Sequence, residues 1–156
     1  MSEEKLKTSA RGAFTEYLVA KKLRKTPERY AILDKVFDMT QHFYIDALCS
    51  ALEDDAYHVS RATVYNTMEL LTDCGLVRCH RFPGQPAQYE RAAGAANHLH
   101  VICTQCGKVK EVKDPELVRL LNSRRYSTFH TSYITLYVYG VCSSCTRRNR
   151  KNKKQQ

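Results

Sequence analysis

SRATVYNTMELLTDCGLVRCHRFPGQPAQYE, residues 60–90, changes its hydrophobic period halfway along, and that change decides the fold. Ser60 can cap a helix in which Val64, Met68 and Leu71 share one face, and Gly75 supplies a stop. Beyond the glycine, Leu76–Phe82 and Ala87–Glu90 read as short strands around the turn signal Pro83-Gly84-Gln85-Pro86. Upstream, residues 12–23 carry Phe14, Leu18 and Leu23 at helical spacing. Thr26-Pro27 marks the N-cap and first position of a second helix through Ile32, Val36 and Phe37. Ile45, Leu48 and Leu52 mark a third, ending in Glu53-Asp54-Asp55. Short helices followed by a hairpin give the order of a winged helix-turn-helix, in which the last helix enters the major groove. Its outward candidates are Arg61, Tyr65, Asn66 and Glu69. Arg61 suits guanine or phosphate and Tyr65 suits thymine methyls. An ordinary surface helix fits the same pattern.

The chain has 156 residues, 43% of them hydrophobic, which is enough for a globular core and excludes a disordered chain. No stretch approaches the roughly 20 apolar residues of a membrane span, and no apolar run precedes the first charges, so a cytoplasmic protein is expected. The net charge of +9 does not locate a nucleic-acid face by itself. Residues 1–90 hold 12 basic and 13 acidic side chains, residues 91–146 hold 7 and 3, and Arg147, Arg148, Arg150, Lys151, Lys153 and Lys154 supply the remaining six.

Residues 92–97 read as a linker. The segment after it alternates short strands (99–103, 109–112), a helix opened by Asp114-Pro115, and a β-rich run at 133–139. About 55 residues of mixed α/β bury little core unaided, so a staple is expected. Cys103-x-x-Cys106-Gly107 and Cys142-x-x-Cys145 provide one: two thiolate pairs, with 35 residues between them, suit a closed tetrahedral zinc site. A thioredoxin-like dithiol is the competing reading, but neither pair opens a helix in a βαβ unit. Cys49 and Cys74 read as small buried hydrophobes, and Cys79 neighbours His80 on a strand. His58 and His80 carry no ligand assignment. On a strand His98 and His100 point the same way and can converge on one ion; two solvated polar residues would show the same spacing.

Taken in order, Thr26-Pro-x-Arg29, His42, Ala62-Thr63-Val64-Tyr65, Gly75-Leu76-Val77, Tyr89-Glu90, His98-x-His100-x-x-Cys103-x-x-Cys106-Gly107-Lys108-Val109, Tyr137-x-Tyr139-Gly140 and Cys142-x-x-Cys145 resemble the ferric uptake regulator family of metal-dependent repressors. The resemblance implies an α+β protein: a winged helix-turn-helix DNA-binding domain at 1–91, a linker at 92–97, and a small α/β dimerisation and metal-binding domain at 98–146. A disordered basic tail at 147–156 completes the expectation. It implies a homodimer on a double-stranded DNA operator; the expected DNA contacts are Arg24, Arg29, Arg61, Thr63, Tyr65 and Asn66. It assigns a structural Zn2+ to Cys103, Cys106, Cys142 and Cys145, and a regulatory ion to His42, Glu90, His98, His100 and Glu111.

Imidazoles with carboxylates suit Fe2+, Mn2+ or Zn2+, and ferrous iron is the expected effector. Glu90, where the family's peroxide sensors typically carry aspartate, leans toward metal sensing; zinc-, haem- or peroxide-responsive regulators are the alternatives. Where many relatives build an additional site, this chain has Asn97, Leu99, Val118 and Ile134, and no such site is expected. Asn66 replaces a frequent arginine of relatives and suits adenine. An enzyme is not expected, because neither H-E-x-x-H nor a Gly-rich phosphate loop is present.

Overall fold

The computed structural model describes residues 2–93 and 98–153. The chain divides into two compact units, Met1–Arg81 with Pro86–Ala95, and Phe82–Gln85 with Ala96–Gln156. The fold is α+β.

In the first unit, α1 (Glu3–Ala20), α2 (Pro27–Asp38), α3 (Ile45–Asp54) and α4 (Arg61–Asp73) precede an antiparallel pair, β1 (Val77–His80) and β2 (Gln88–Arg91). One core joins them: Phe14 and Leu18 of α1, Ile32, Leu33, Val36 and Phe37 of α2, Leu48 of α3, and Val64, Met68 and Leu71 of α4 are all essentially inaccessible. Helix α1 starts nine residues before its expected beginning. Ala10 continues the buried stripe one turn upstream, and Glu3 and Glu4 lie in the first turn, where the helix dipole favours acids. The helix ends as Lys22 takes a positive φ of 54° and the Leu23 N–H reaches the Leu18 carbonyl.

Helix α4 opens and closes as its sequence suggests. The Thr63 N–H donates to Ser60 Oγ, closing the N-terminal cap. At the far end Gly75, at φ 75°, lets its own N–H reach the Thr72 carbonyl and the Leu76 N–H reach the Leu71 carbonyl. The caps fix where α4 begins and ends, and the buried stripe of Val64, Met68 and Leu71 fixes which residues face outward.

The second unit contains β3 (Leu99–Cys103), β4 (Val109–Val112), α5 (Pro115–Ser123), β5 (Tyr137–Gly140) and α6 (Ser143–Lys153). The sheet order is β4-β3-β5, with β3 antiparallel to β4 and parallel to β5. Asp114 caps α5 by accepting from the Leu117 N–H. The β-rich run expected at 133–139 becomes a strand only from Tyr137, because β5 pairs from His100↔Tyr137 onward, one residue after β3 itself begins.

One expectation changes. Residues 147–153, expected within a disordered tail, continue helix α6. One contact reaches outside the helix, Asn149 Nδ2 donating to Gln105 Oε1 in the Cys103–Cys106 turn at 3.1 Å, while Arg148 Nη2 donates to Cys145 Sγ at 3.3 Å within the helix itself. Residues 154–156 of that tail, and 94–97 of the expected linker, lie outside the described residues.

Candidate metal centres and nucleic-acid face

The parallel β3/β5 pairing brings the two cysteine pairs together. Cys103 ends β3 opposite Gly140, so the chain leaving β5 arrives at Cys142 beside the Cys103–Cys106 turn. The Cys142 N–H donates to Cys103 Sγ at 3.3 Å, and the Thr104 N–H donates to the Gly140 carbonyl at 2.8 Å. Gly107 turns at φ 71° and returns its N–H to the Cys103 carbonyl.

The four sulfurs all lie within 4.8 Å of one another, and Cys106 Sγ is 3.8 Å from Cys142 Sγ. A tetrahedron of Zn–S bonds near 2.3 Å has edges of about 3.8 Å, so the donor set fits zinc. The two buried thiols are shifted in opposite directions. Backbone N–H donation, chiefly from Cys142, pulls the Cys103 thiol down to about 6, while burial pushes Cys145 up to about 12. Four thiolates cannot share this space comfortably without positive charge between them.

A second cluster occupies the first unit. An isolated bridge, Phe43 N–H to Tyr89 carbonyl at 2.9 Å and Tyr89 N–H to Phe43 carbonyl at 2.8 Å, fastens the α2–α3 loop to β2. The neighbours of those residues are therefore His42 and Glu90, whose Nε2 and Oε2 stand 3.4 Å apart. His80 Nε2 is 3.0 Å from Glu90 Oε1 and Arg78 Nη1 is 3.5 Å from the same oxygen. His80, given no ligand assignment from the sequence, is 2% exposed. Strand alternation carries the missed signal: Arg78 and His80 pair across from Glu90 and Gln88, so all four side chains share one face of the hairpin.

In the second unit His98 and His100 approach to 3.3 Å between Nε2 atoms, and Glu111 sits directly across from His100 on β4. His100 is buried, His98 half-buried and Glu111 exposed. The five expected regulatory residues thus fall into two groups, His42 with Glu90 in one unit and His98, His100 and Glu111 in the other.

Of the expected DNA contacts, Arg61, Tyr65 and Asn66 are exposed on α4, opposite the buried Val64 and Met68. Arg61 pairs with Asp46 of α3. Thr63 is half-buried and shares its hydroxyl with the Ser60 cap at 2.8 Å. Arg24 is exposed, but Arg29 turns back to donate to the Arg24 carbonyl, bracing the α1–α2 loop. Cys49 and Cys74 pack partly buried against the core, as small apolar side chains do. No helix among the described residues is long and apolar enough to cross a membrane.

The sequence profile of the ferric uptake regulator family matches residues 20–139. The peroxide-responsive repressor PerR of Staphylococcus aureus is 31% identical over 124 residues, spanning 79% of this chain and 82% of that protein. Among solved structures, the ferric uptake regulator of Pseudomonas aeruginosa with manganese superposes with a TM-score of 0.66 at 27% identity, covering 83% of this chain and 97% of that one. The Helicobacter pylori ferric uptake regulator Fur, with a TM-score of 0.64 at 20% identity over 94% and 95% of the two chains, shares the fold.

Proposed function

The chain belongs to the ferric uptake regulator family of metal-responsive transcription regulators, and from that premise we propose that it is a homodimeric repressor whose binding to a double-stranded DNA operator depends on ferrous iron. The first unit acts as the winged helix-turn-helix, with α4 as recognition helix and β1–β2 as wing. Arg61, Tyr65 and Asn66 read base edges, while Arg24, Arg29 and Thr63 serve the phosphate side or the geometry of the helix. Cys103, Cys106, Cys142 and Cys145 hold a structural Zn2+.

The regulatory ion is held jointly by His42 and Glu90 of one unit and His98, His100 and Glu111 of the other, with Mn2+ or Zn2+ as alternative occupants. Such joint ligation sets the angle between the units, and hence the spacing of two recognition helices on successive major grooves. The dimer reading is supported by apolar side chains left on the second unit: Phe129 is 70% exposed, and Val138 and Val141 beside β5 more than 40%.

The observation that carries the proposal is His42 Nε2 closing to 3.4 Å on the buried Glu90, a nitrogen–carboxylate donor pair. The test is selection of binding sites from random DNA with and without Fe2+. Metal-dependent enrichment of a two-fold symmetric site, lost in His98→Ala with zinc content unchanged, is the expected result; metal-independent binding refutes the sensory role.

A peroxide-responsive repressor is the second reading, favoured by the similarity to the S. aureus protein. It predicts that hydrogen peroxide releases DNA from the Fe2+-loaded form and spares the Mn2+-loaded form, because only ferrous iron is readily oxidised.

A further inference from the structure

The two oxygens of Glu90 face different groups. Oε2 is turned to His42 Nε2, while Oε1 is taken from the hairpin side by His80 Nε2 at 3.0 Å and Arg78 Nη1 at 3.5 Å. Arg78 is the residue directly opposite Glu90 in the β1/β2 register, so the ladder itself delivers the guanidinium to the carboxylate. The side chains are 18% and 7% exposed, and so enclosed a pair is weakly screened by solvent and salt.

The two Oε1 partners differ in kind. An imidazole can ligate a metal ion, whereas a guanidinium has only donors, keeps its charge at any working pH and cannot ligate. At a carboxylate that holds no cation, that fixed charge compensates the anion. At the same carboxylate with a divalent ion arriving, it repels the newcomer and occupies a lone pair the newcomer needs.

Resting on the proposed role of Glu90 as a regulatory ligand, we infer that Arg78 is an internal counter-cation that competes with the divalent ion for the Glu90 carboxylate and thereby sets the metal concentration at which the regulator responds. Leaving a buried carboxylate uncompensated is costly, so Arg78 stabilises the metal-free protein. The same contact raises the metal concentration needed for occupancy. A cross-strand pair serving the hairpin alone would act differently: its removal would loosen Glu90 and weaken metal binding, or leave it unaltered.

The test uses the full chain with its cysteine-bound zinc retained, stripped of other metal by mild chelation, and Mn2+ as probe, the free ion being quantified by its electron paramagnetic resonance signal. Arg78→Met, which keeps the stem and removes the charge, is expected to tighten Mn2+ binding about tenfold, the low end of what partners of a metal ligand contribute. Arg78→Lys stays close to wild type. Arg78→Gln should move in the same direction as Arg78→Met and serves if that variant fails to fold. The melting temperature of metal-free Arg78→Met should fall, and the deficit should close at saturating Mn2+. Unchanged or weaker Mn2+ binding in both charge-removing variants overturns the inference. Glu90→Gln separates the two levels: if it binds Mn2+ as wild type does, the ligand role of Glu90 fails; if it loses Mn2+ while Arg78→Met matches wild type, only the counter-cation role fails.

Discussion

Removing zinc from the four-cysteine cluster should unfold the second unit while leaving the first intact. Among the described residues, the apolar side chains this unit encloses apart from the cysteines are Leu99, Ile102 and Phe82, each less than 9% exposed, whereas α5 buries none of its residues and β5 is exposed along its length. At about 1.5–3 kcal/mol each, three such side chains contribute roughly 5–9 kcal/mol. A structural zinc site contributes about 10–16 kcal/mol in small domains at neutral pH, more than those three side chains together. The assay is limited proteolysis with mass spectrometry, together with urea unfolding, on Cys145→Ala and on wild type stripped of zinc under reducing conditions. Expected is rapid cleavage after residue 98, with a protected fragment ending near Ala93, and a smaller urea dependence because less surface remains to be exposed. A zinc-free protein whose second unit still resists protease and unfolds cooperatively would refute the reasoning. A Cys103 variant that keeps its fold but loses a dithiol activity would favour the redox reading instead.

Three further outcomes are expected. Tyr65→Ala should change stability by less than about 0.5 kcal/mol, because the side chain is half exposed, yet weaken specific DNA binding by roughly 1–3 kcal/mol in a titration against the selected operator. Ser60→Ala removes the acceptor of the Thr63 N–H and should cost about 1 kcal/mol in chemical denaturation, with DNA affinity falling further than stability because the cap also orients α4. Arg91 donates twice to Glu3, at 2.6 and 3.0 Å, and holds its carboxyl below the usual 4.5. A depressed carboxyl contributes stability above its unfolded value and loses it as pH falls through the folded value. Wild type should therefore lose more stability than Glu3→Gln between pH 5 and strongly acidic pH, as thermal melts across that range would register, and parallel curves would exclude the pair.

The hairpin shows how far strand alternation reaches. A period-2 reading of residues 77–91 already places Arg78, His80, Gln88 and Glu90 on one face, yet only packing buries that face and turns His80 from an outward residue into a partner of Glu90. Arg29 is the reverse case: it is expected among the DNA contacts, and the folded loop turns it onto the Arg24 carbonyl. Helix α6 escaped notice because six cations in ten residues oppose a helix on composition alone, whereas Asn149 gains its partner Gln105 only once the Cys103–Cys106 turn is folded beside it.

Local chemistry is what the amino-acid sequence determines by itself. Caps at Ser60 and Asp114, the stop at Gly75, the periods that separate helix from strand, and the C-x-x-C spacing are all written within a few residues, because each depends on neighbours along the chain. The tertiary structure alone decided which distant groups meet: Cys103 with Cys142 through the parallel β3/β5 register, and His42 with Glu90 through the Phe43–Tyr89 bridge. Pairings of that kind depend on strand register and core packing, which join residues about 40 to 50 positions apart and leave no local trace.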